Sequence, residues 1–132
     1  MKRDAGRFIQ VSVKEAAQKL EDAERDFEAG SYGSAISHAY YAMYHAARAC
    51  LAKAGVFPRT HEGAVTQFGE CFVETGKIER KHGKALATAL QDRLRANYKY
   101  LYSREGARKT LGNAKRFVER AEKLLETTRP AN

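Results

Sequence analysis

The segment between residues 31 and 54 constrains the fold more than any other part of this chain. Its apolar residues recur every three or four positions, which is the spacing of one helix face. They are Ile36, Tyr40, Met43, Ala47, Cys50, Leu51 and Ala54. Tyr41, Tyr44 and His45 widen this stripe. A helix that is apolar around so much of its circumference either lies at the centre of a bundle or contacts a partner chain as well as its own core.

Four other segments carry the same helical spacing, and glycines end several of them. The five predicted helices span residues 12–29, 31–54, 61–74, 78–103 and 105–127. Ser12 and Glu15 form a capping box that starts the first helix, and Thr60 is placed to cap the third. Because no segment reads as a strand and the connections are short, the sequence predicts an all-α fold, an up-and-down antiparallel helical bundle of about five helices.

The length of 132 residues predicts a single domain over residues 1–132. Cys50 and Cys71 lie on apolar helical stripes without CxxC spacing, so we expect buried free thiols. No apolar run approaches the ~20 residues that cross a bilayer. The basic start, MKRDAGRFIQ, is not followed by the apolar core of a signal peptide. We therefore expect a cytoplasmic protein without membrane contact.

The positive charge is concentrated in the second half of the chain. Residues 1–76 carry 9 Lys/Arg against 10 Asp/Glu, a net −1, whereas residues 77–132 carry 15 against 6, a net +9. Two interpretations remain open at this point. The basic half either forms one face that attracts polyanions or is a solvated helix surface that keeps the protein soluble.

The fourth predicted helix contains a polar pair within its apolar stripe. The stripe steps through Leu86, Leu90, Arg93, Asn97 and Leu101. Arg93 and Asn97 therefore share a face, one turn apart, with Tyr98 beside them. A guanidinium in this position needs partners. Either an acidic residue of the first helix pairs with Arg93, or Arg93, Asn97 and Tyr98 floor a polar groove. The acidic candidates are Glu21, Asp22, Glu24, Asp26 and Glu28.

The four histidines do not predict a metal site. His38 and His45 are seven positions apart on one helix, a distance of ~10 Å that is too long for one ion. No HExxH motif or Cys/His cluster occurs, so we expect neither a metal nor a cofactor. His61 begins the third helix, where free backbone N–H groups favour an anion. His82 is expected at the surface.

Four short segments, in order, resemble the HEPN family (higher eukaryote and prokaryote nucleotide-binding). The run GSYGSAISHAYYAMYHAARACL at 30–51 resembles the second helix of bacterial and archaeal members. THEG at 60–63 resembles the start of their third helix, and FVETGKI at 72–78 resembles the segment that follows. RLRANY at 93–98 resembles their R-x-x-A-D-Y motif. The resemblance covers the core of the domain, about residues 13–125.

The resemblance implies a helical bundle that commonly forms a homodimer and associates with nucleotides or RNA. It also implies a minimal nucleotidyltransferase encoded beside many members, as toxin and antitoxin. Ribonuclease members carry Arg, a polar residue, three to five further residues and then His. Here Leu94 follows Arg93, and Tyr98 stands where that His would be. Asn97 replaces the usual Asp, and Tyr, with a pKa near 10, is a poor base at neutral pH.

Three hypotheses follow, and an enzyme is not the favoured one. The first is a non-catalytic domain that binds nucleotide or RNA phosphate through Arg93, with Asn97, Tyr98 and His61 contributing. The second is a protein-interaction module, the partner of a nucleotidyltransferase in a toxin–antitoxin or defence pair. Its interface would be formed by Tyr40, Tyr41 and Tyr44.

The third hypothesis is a metal-independent ribonuclease toxin that uses Arg93. Catalysis of that type requires a histidine close to the guanidinium, and no histidine follows His82 in the chain. The ribonuclease hypothesis therefore depends on whether the fold brings His38, His45 or His61 near Arg93.

Overall fold

The chain folds into five α-helices in the computed structural model, which describes residues 2–127, with side chains from residue 5 onward. The helices are α1 (Lys2–Glu28), α2 (Tyr32–Lys53), α3 (His61–Phe68), α4 (Arg80–Lys99) and α5 (Arg104–Thr127). A π-helical turn, Gly69–Val73, continues α3. No strand occurs within residues 2–127. The prediction of an all-α bundle of about five helices is confirmed.

Helix α2 is the centre of the bundle, because it contacts each of the other four helices. Its small alanine side chains let the neighbouring helices approach closely. Its larger side chains interdigitate with residues from α3, α4 and α5. The largest fully buried side chains of the molecule are Tyr40, Phe68, Phe117, Met43, Leu51 and Leu86. The broad apolar circumference of α2 is therefore explained by burial within this chain.

Helix α1 begins at Lys2, well before the predicted start. Ser12 lies inside the helix and is buried, so the predicted capping box at Ser12 and Glu15 is wrong. A tertiary contact accompanies the additional turns. Phe8 packs edge-on against Phe57, with 5.5 Å between the ring centroids, and Arg48 of α2 lies over the Phe8 ring. This packing stabilises the first turns of α1, where the sequence has no capping motif that predicts a helix start.

Helix α4 ends at Lys99, four residues before the predicted end. Tyr100 adopts a left-handed conformation with φ 54°, and its backbone N–H donates to the carbonyl of Arg95. This geometry turns the chain away from the helix axis. Leu101, predicted to belong to the apolar stripe, is therefore 59% exposed, and that prediction is wrong.

The ends of α2 and α3 follow the sequence signals. Gly30 and Gly55 adopt positive φ angles at the predicted breaks on either side of α2. The Thr60 hydroxyl accepts a hydrogen bond of 2.8 Å from the backbone N–H of Gly63, as expected of a cap. His61 is consequently held as the first residue of a capped helix.

The structure also shows the burial of Cys50, Cys71 and His82, for which the sequence made predictions. Cys50 is buried, and burial raises its pKa to about 12, whereas Cys71 is only partly buried. His82 was expected at the surface but is 8% exposed, so that prediction is wrong. Its ring packs against Phe117 of α5, and the hydrogen bond from Arg120 to Glu79 holds α5 against the start of α4. None of the described helices is both long and apolar enough to cross a bilayer.

Candidate functional site

Arg93 lies in the middle of α4 and faces the tyrosines of α2. Its guanidinium carbon is 5.0 Å from the ring centre of Tyr41 and 5.7 Å from that of Tyr40. Both distances lie within the range of cation–π attraction. The two rings therefore orient the guanidinium against α2 while leaving the side chain only partly buried.

No carboxylate neutralises Arg93 within the described chain. Its Nε atom is enclosed by protein without a hydrogen-bond partner among residues 5–127. Two of the five acidic candidates of α1 are engaged elsewhere, since Asp22 pairs with Arg25 at 2.6 Å and Asp26 contacts His38 at 2.6 Å. The predicted alternative of an ion pair with the first helix is thus not formed. The outer N–H groups of the guanidinium can therefore donate to another acceptor.

His61 of α3 reaches the same tyrosines from the other side. Its Nδ1 atom lies 2.7 Å from the Tyr40 hydroxyl, a hydrogen bond whose direction depends on the imidazole tautomer. Its ring centre is 4.5 Å from Tyr44 and 5.7 Å from Tyr41. We call Tyr40, Tyr41, Tyr44, His61 and Arg93 the Tyr–His–Arg cluster. Nε2 is the ring nitrogen that remains for a ligand.

The protonation states in the cluster follow from burial and from the nearby positive charge. Burial lowers the pKa of His61, and the Arg93 guanidinium lowers it further. The imidazole is therefore neutral at pH 7. Burial also raises the pKa of Tyr40 far above its ordinary value, so its hydroxyl stays protonated. The lasting charge of the cluster is the positive charge of Arg93.

Two of the predicted site residues lie at the margin of this cluster. Asn97 is exposed, and its amide donates to the Ser37 hydroxyl of α2 at 3.5 Å. Tyr98 is 69% exposed. Tyr98 follows Arg93 by five positions, which is a rotation of about 140° around the helix axis. Its side chain therefore points to a different side of α4. The fold brings Arg93 together with His61, and it does not bring Tyr98 to them.

Tyr40 was predicted to lie on an interaction surface, but its side chain is completely buried. It could contact another molecule only if the core opened, so this part of the predicted interface is wrong. Tyr41 and Tyr44 are partly buried and keep some surface. The tyrosine run of α2 thus divides into one core residue and two residues at the edge of the core.

Arg48 of α2 is the residue that the sequence analysis did not single out. Its guanidinium carbon lies 4.8 Å from the Phe8 ring centre and 5.3 Å from that of Tyr44. The Arg48 Nε atom is also enclosed without a partner in the part of the chain that the structure describes. Its place beside the tyrosines could have been predicted from spacing. Arg48 follows Tyr44 by four positions and Tyr41 by seven, so all three lie on one helix face.

The chain matches known proteins over nearly its whole length. A HEPN domain family model matches residues 9–129. The protein of Methanocaldococcus jannaschii named "Putative toxin MJ0605" is 32% identical over 127 residues, which cover 96% of this chain and 95% of the relative.

Two of the relatives that are named UPF0332 proteins show the same similarity. One, from Archaeoglobus fulgidus, is 32% identical over 92% of this chain and 98% of its own length. The other, "UPF0332 protein PH1297" from Pyrococcus horikoshii, is 37% identical over 67% of this chain and 63% of its own length. Because the family model spans most of the chain, and two relatives above 30% identity align over nearly all of it, this protein belongs to the HEPN domain family.

Proposed function

We propose that this protein binds the phosphate groups of RNA or of nucleotides at the Tyr–His–Arg cluster. The observation that carries the proposal is the guanidinium of Arg93, which has no acidic partner among residues 5–127. A cation that is partly buried and held in place by two rings, but not neutralised, is suited to an anionic ligand.

The residues around Arg93 support the same ligand class. When the Tyr40 hydroxyl donates to Nδ1, neutral His61 carries its proton on Nε2 and can donate it to a phosphate oxygen. The partly exposed rings of Tyr41 and Tyr44 offer surfaces on which a base can stack. Asn97, one turn from Arg93 on α4, would extend the contact, whereas Tyr98 points to a different side of the helix. The net +9 of residues 77–132 favours polyanions over longer distances.

Fluorescence anisotropy with a labelled single-stranded RNA in low salt tests the proposal. We expect Arg93→Ala to weaken binding at least about tenfold, because a hydrogen bond to a charged group contributes about 1.5–3 kcal/mol. Arg95→Ala is the matched control, since it removes one positive charge from an exposed side chain of the same helix that already pairs with Asp92. Equal affinities of the Arg93 and Arg95 variants would sink the proposal.

A ribonuclease is the second candidate function, and one observation favours it. The chain lacks a histidine after Arg93, but His61 lies against the same tyrosine rings as Arg93. With its proton on Nδ1, His61 could accept the proton of a ribose 2′-hydroxyl at Nε2. The 2′-oxygen would bond to phosphorus, the bond to the 5′-oxygen would break, and water would protonate that leaving oxygen. Arg93 would stabilise the phosphorane charge.

Incubation with a defined RNA, followed by mass spectrometry of the ends, tests this candidate. Cleavage would leave a 2′,3′-cyclic phosphate and a 5′-hydroxyl, and it would persist in the presence of a metal chelator. We expect His61→Asn and Arg93→Ala each to abolish these products. Cleavage that is the same in both variants as in the wild type would point to a contaminating nuclease and remove the candidate.

We also propose that the protein acts as a homodimer and pairs with a minimal nucleotidyltransferase. The relative named as a toxin supports a toxin–antitoxin setting. Tyr41 and Tyr44 are the partly exposed aromatic residues at the edge of the core that would contact a second copy. Gel filtration with light scattering should give twice the chain mass of 14.8 kDa. A monomer, together with a gene that has no nucleotidyltransferase neighbour, would contradict the proposal.

A further inference from the structure

Two arginines of this protein differ from the others in their surroundings. Arg48 and Arg93 each have an Nε atom enclosed by protein and without a hydrogen-bond partner in the described part of the chain. Four other arginines have a carboxylate oxygen within 3.0 Å; these are Arg25, Arg95, Arg108 and Arg120. Arg120 is also partly buried but pairs with Glu79, whereas Arg48 and Arg93 are partly buried and have no ion pair with a carboxylate among residues 5–127.

Packing alone does not satisfy Arg48. Its guanidinium lies between the rings of Phe8 from α1 and Tyr44 from α2. Such cation–π contacts contribute attraction, but they provide no acceptor for the guanidinium N–H groups. Partial burial also removes water that would otherwise accept these hydrogen bonds. The enclosed Nε–H cannot be reached from outside, so an anion would bind the outer N–H groups of this partly exposed guanidinium.

Arg48 and Arg93 are linked through His61, because each lies over a tyrosine ring that also contacts the imidazole. Tyr44 contacts both Arg48 and His61, and Tyr41 contacts both Arg93 and His61. Both guanidinium charges act on the His61 imidazole and lower its pKa. Two fixed positive charges thus flank one neutral hydrogen-bonding side chain.

We propose that Arg48 is a second phosphate-binding residue, and that the site takes a ligand with two linked phosphate groups, one at Arg48 and one at Arg93. This inference rests on the proposed function and deepens it. Adjacent phosphates of an RNA strand and the polyphosphate of a nucleotide share this chemistry. A nucleoside monophosphate can occupy one guanidinium only.

The test measures the affinities of three glutamine variants for four ligands. The variants are Arg48→Gln, Arg93→Gln and the control Arg104→Gln. Glutamine removes the charge but keeps much of the side-chain bulk, so the packing of Phe8 is retained. Arg104 is a matched control because it also lies over an aromatic ring, at 5.4 Å from Phe27, but outside the cluster. The ligands are single-stranded RNA, ATP, ADP and AMP, measured in low salt.

We expect Arg48→Gln to weaken binding of at least one ligand with linked phosphates about tenfold or more. Binding of AMP should change much less, and Arg104→Gln should bind every ligand like the wild type. For RNA, log affinity falls as log salt rises, and this slope should be less steep by about 0.7 in Arg48→Gln than in the wild type. That is the value for one phosphate contact on a single strand. A loss with RNA alone assigns the two phosphates to a strand, and a loss with ATP and ADP alone assigns them to a nucleotide.

The outcomes separate this inference from the function on which it rests. If Arg93→Gln loses affinity while Arg48→Gln resembles Arg104→Gln, the inference is overturned and phosphate binding at Arg93 stands. If the wild type binds none of the four ligands, both fall. Should Arg48→Gln fail to fold, the Nε–H resonance of Arg48 in the wild-type protein decides instead. It should shift on addition of RNA or ADP, and an unchanged resonance at saturation would overturn the inference.

Discussion

The hydrogen bond between Tyr40 and His61 joins the core of this protein to its candidate site. Tyr40 is fully buried, so its hydroxyl needs a partner inside the protein, and the Nδ1 atom of His61 provides it at 2.7 Å. The same bond fixes the plane of the imidazole and leaves Nε2 for a ligand. One residue pair thus stabilises the fold and positions a candidate ligand-binding atom.

Replacement of Tyr40 by phenylalanine tests this double role. We expect Tyr40→Phe to lower the free energy of unfolding by about 1–2 kcal/mol, because the partly buried Nδ1 atom loses its partner. The nitrogen chemical shifts of His61 should change as well, since the bond that selects its tautomer is gone. Tyr41→Phe is the control, because its ring packs in the cluster without a bond to His61. A stable variant with unchanged His61 shifts would contradict the assigned bond.

At the scale of elements, the short helix α3 determines where His61 is held. It contains only eight residues before the π-helical turn begins, so it gains little stability from its own length. The Thr60 cap satisfies the backbone N–H of Gly63 and fixes the first turn, where His61 lies. Packing of Ala64 and Phe68 then holds the helix on the core.

Thr60→Ala should therefore be more destabilising than the equivalent change at another helix start. We expect a loss of about 1 kcal/mol in the free energy of unfolding, the usual contribution of a capping side chain. Ser31→Ala is the matched control, because Ser31 precedes α2 but makes no side-chain capping bond. Urea denaturation of both variants gives the comparison. Equal losses for the two would show that the Thr60 hydroxyl contributes no specific cap.

At the scale of the whole molecule, the fold partly or fully buries three histidines in neutral form. Burial is the largest cause of a lowered pKa at His45, His61 and His82. In the unfolded chain each would take up a proton near pH 6.5. The folded state therefore binds fewer protons than the unfolded state just below that pH, and acid favours unfolding.

Thermal stability should thus fall as the pH is lowered from 7 to 5. The stabilisation is complete above pH 6.5 and is lost as the pH falls toward the lower pKa values of the folded state. Calorimetry should show Tm decreasing by a few degrees, since about 1 kcal/mol shifts Tm by roughly 2–8 °C in domains of comparable size. His82→Gln, which lies outside the cluster, should reduce this dependence. A Tm that is constant over this range would contradict the assignment.

The sequence by itself determined the helical bundle, the positions of most helix ends and the family resemblance. These features depend on local periodicity, on glycine breaks such as Gly30 and Gly55 and on short motifs, all of which can be seen along the chain. The start of α1 escaped prediction because the contact between Phe8 and Phe57 joins distant segments. The burial of His82 was not predicted for a similar reason, because it depends on the packing of α5 against the start of α4.

Only the tertiary structure decided the composition of the candidate site. The sequence placed Arg93 on a helix face, but the packing of α2, α3 and α4 chose its neighbours. That packing brought His61 to the tyrosines of Arg93, and it turned Tyr98 away. It also left Arg48 and Arg93 without carboxylates in the described chain. A helix face follows from residue spacing, whereas contacts between faces depend on how whole helices pack, which no local pattern encodes.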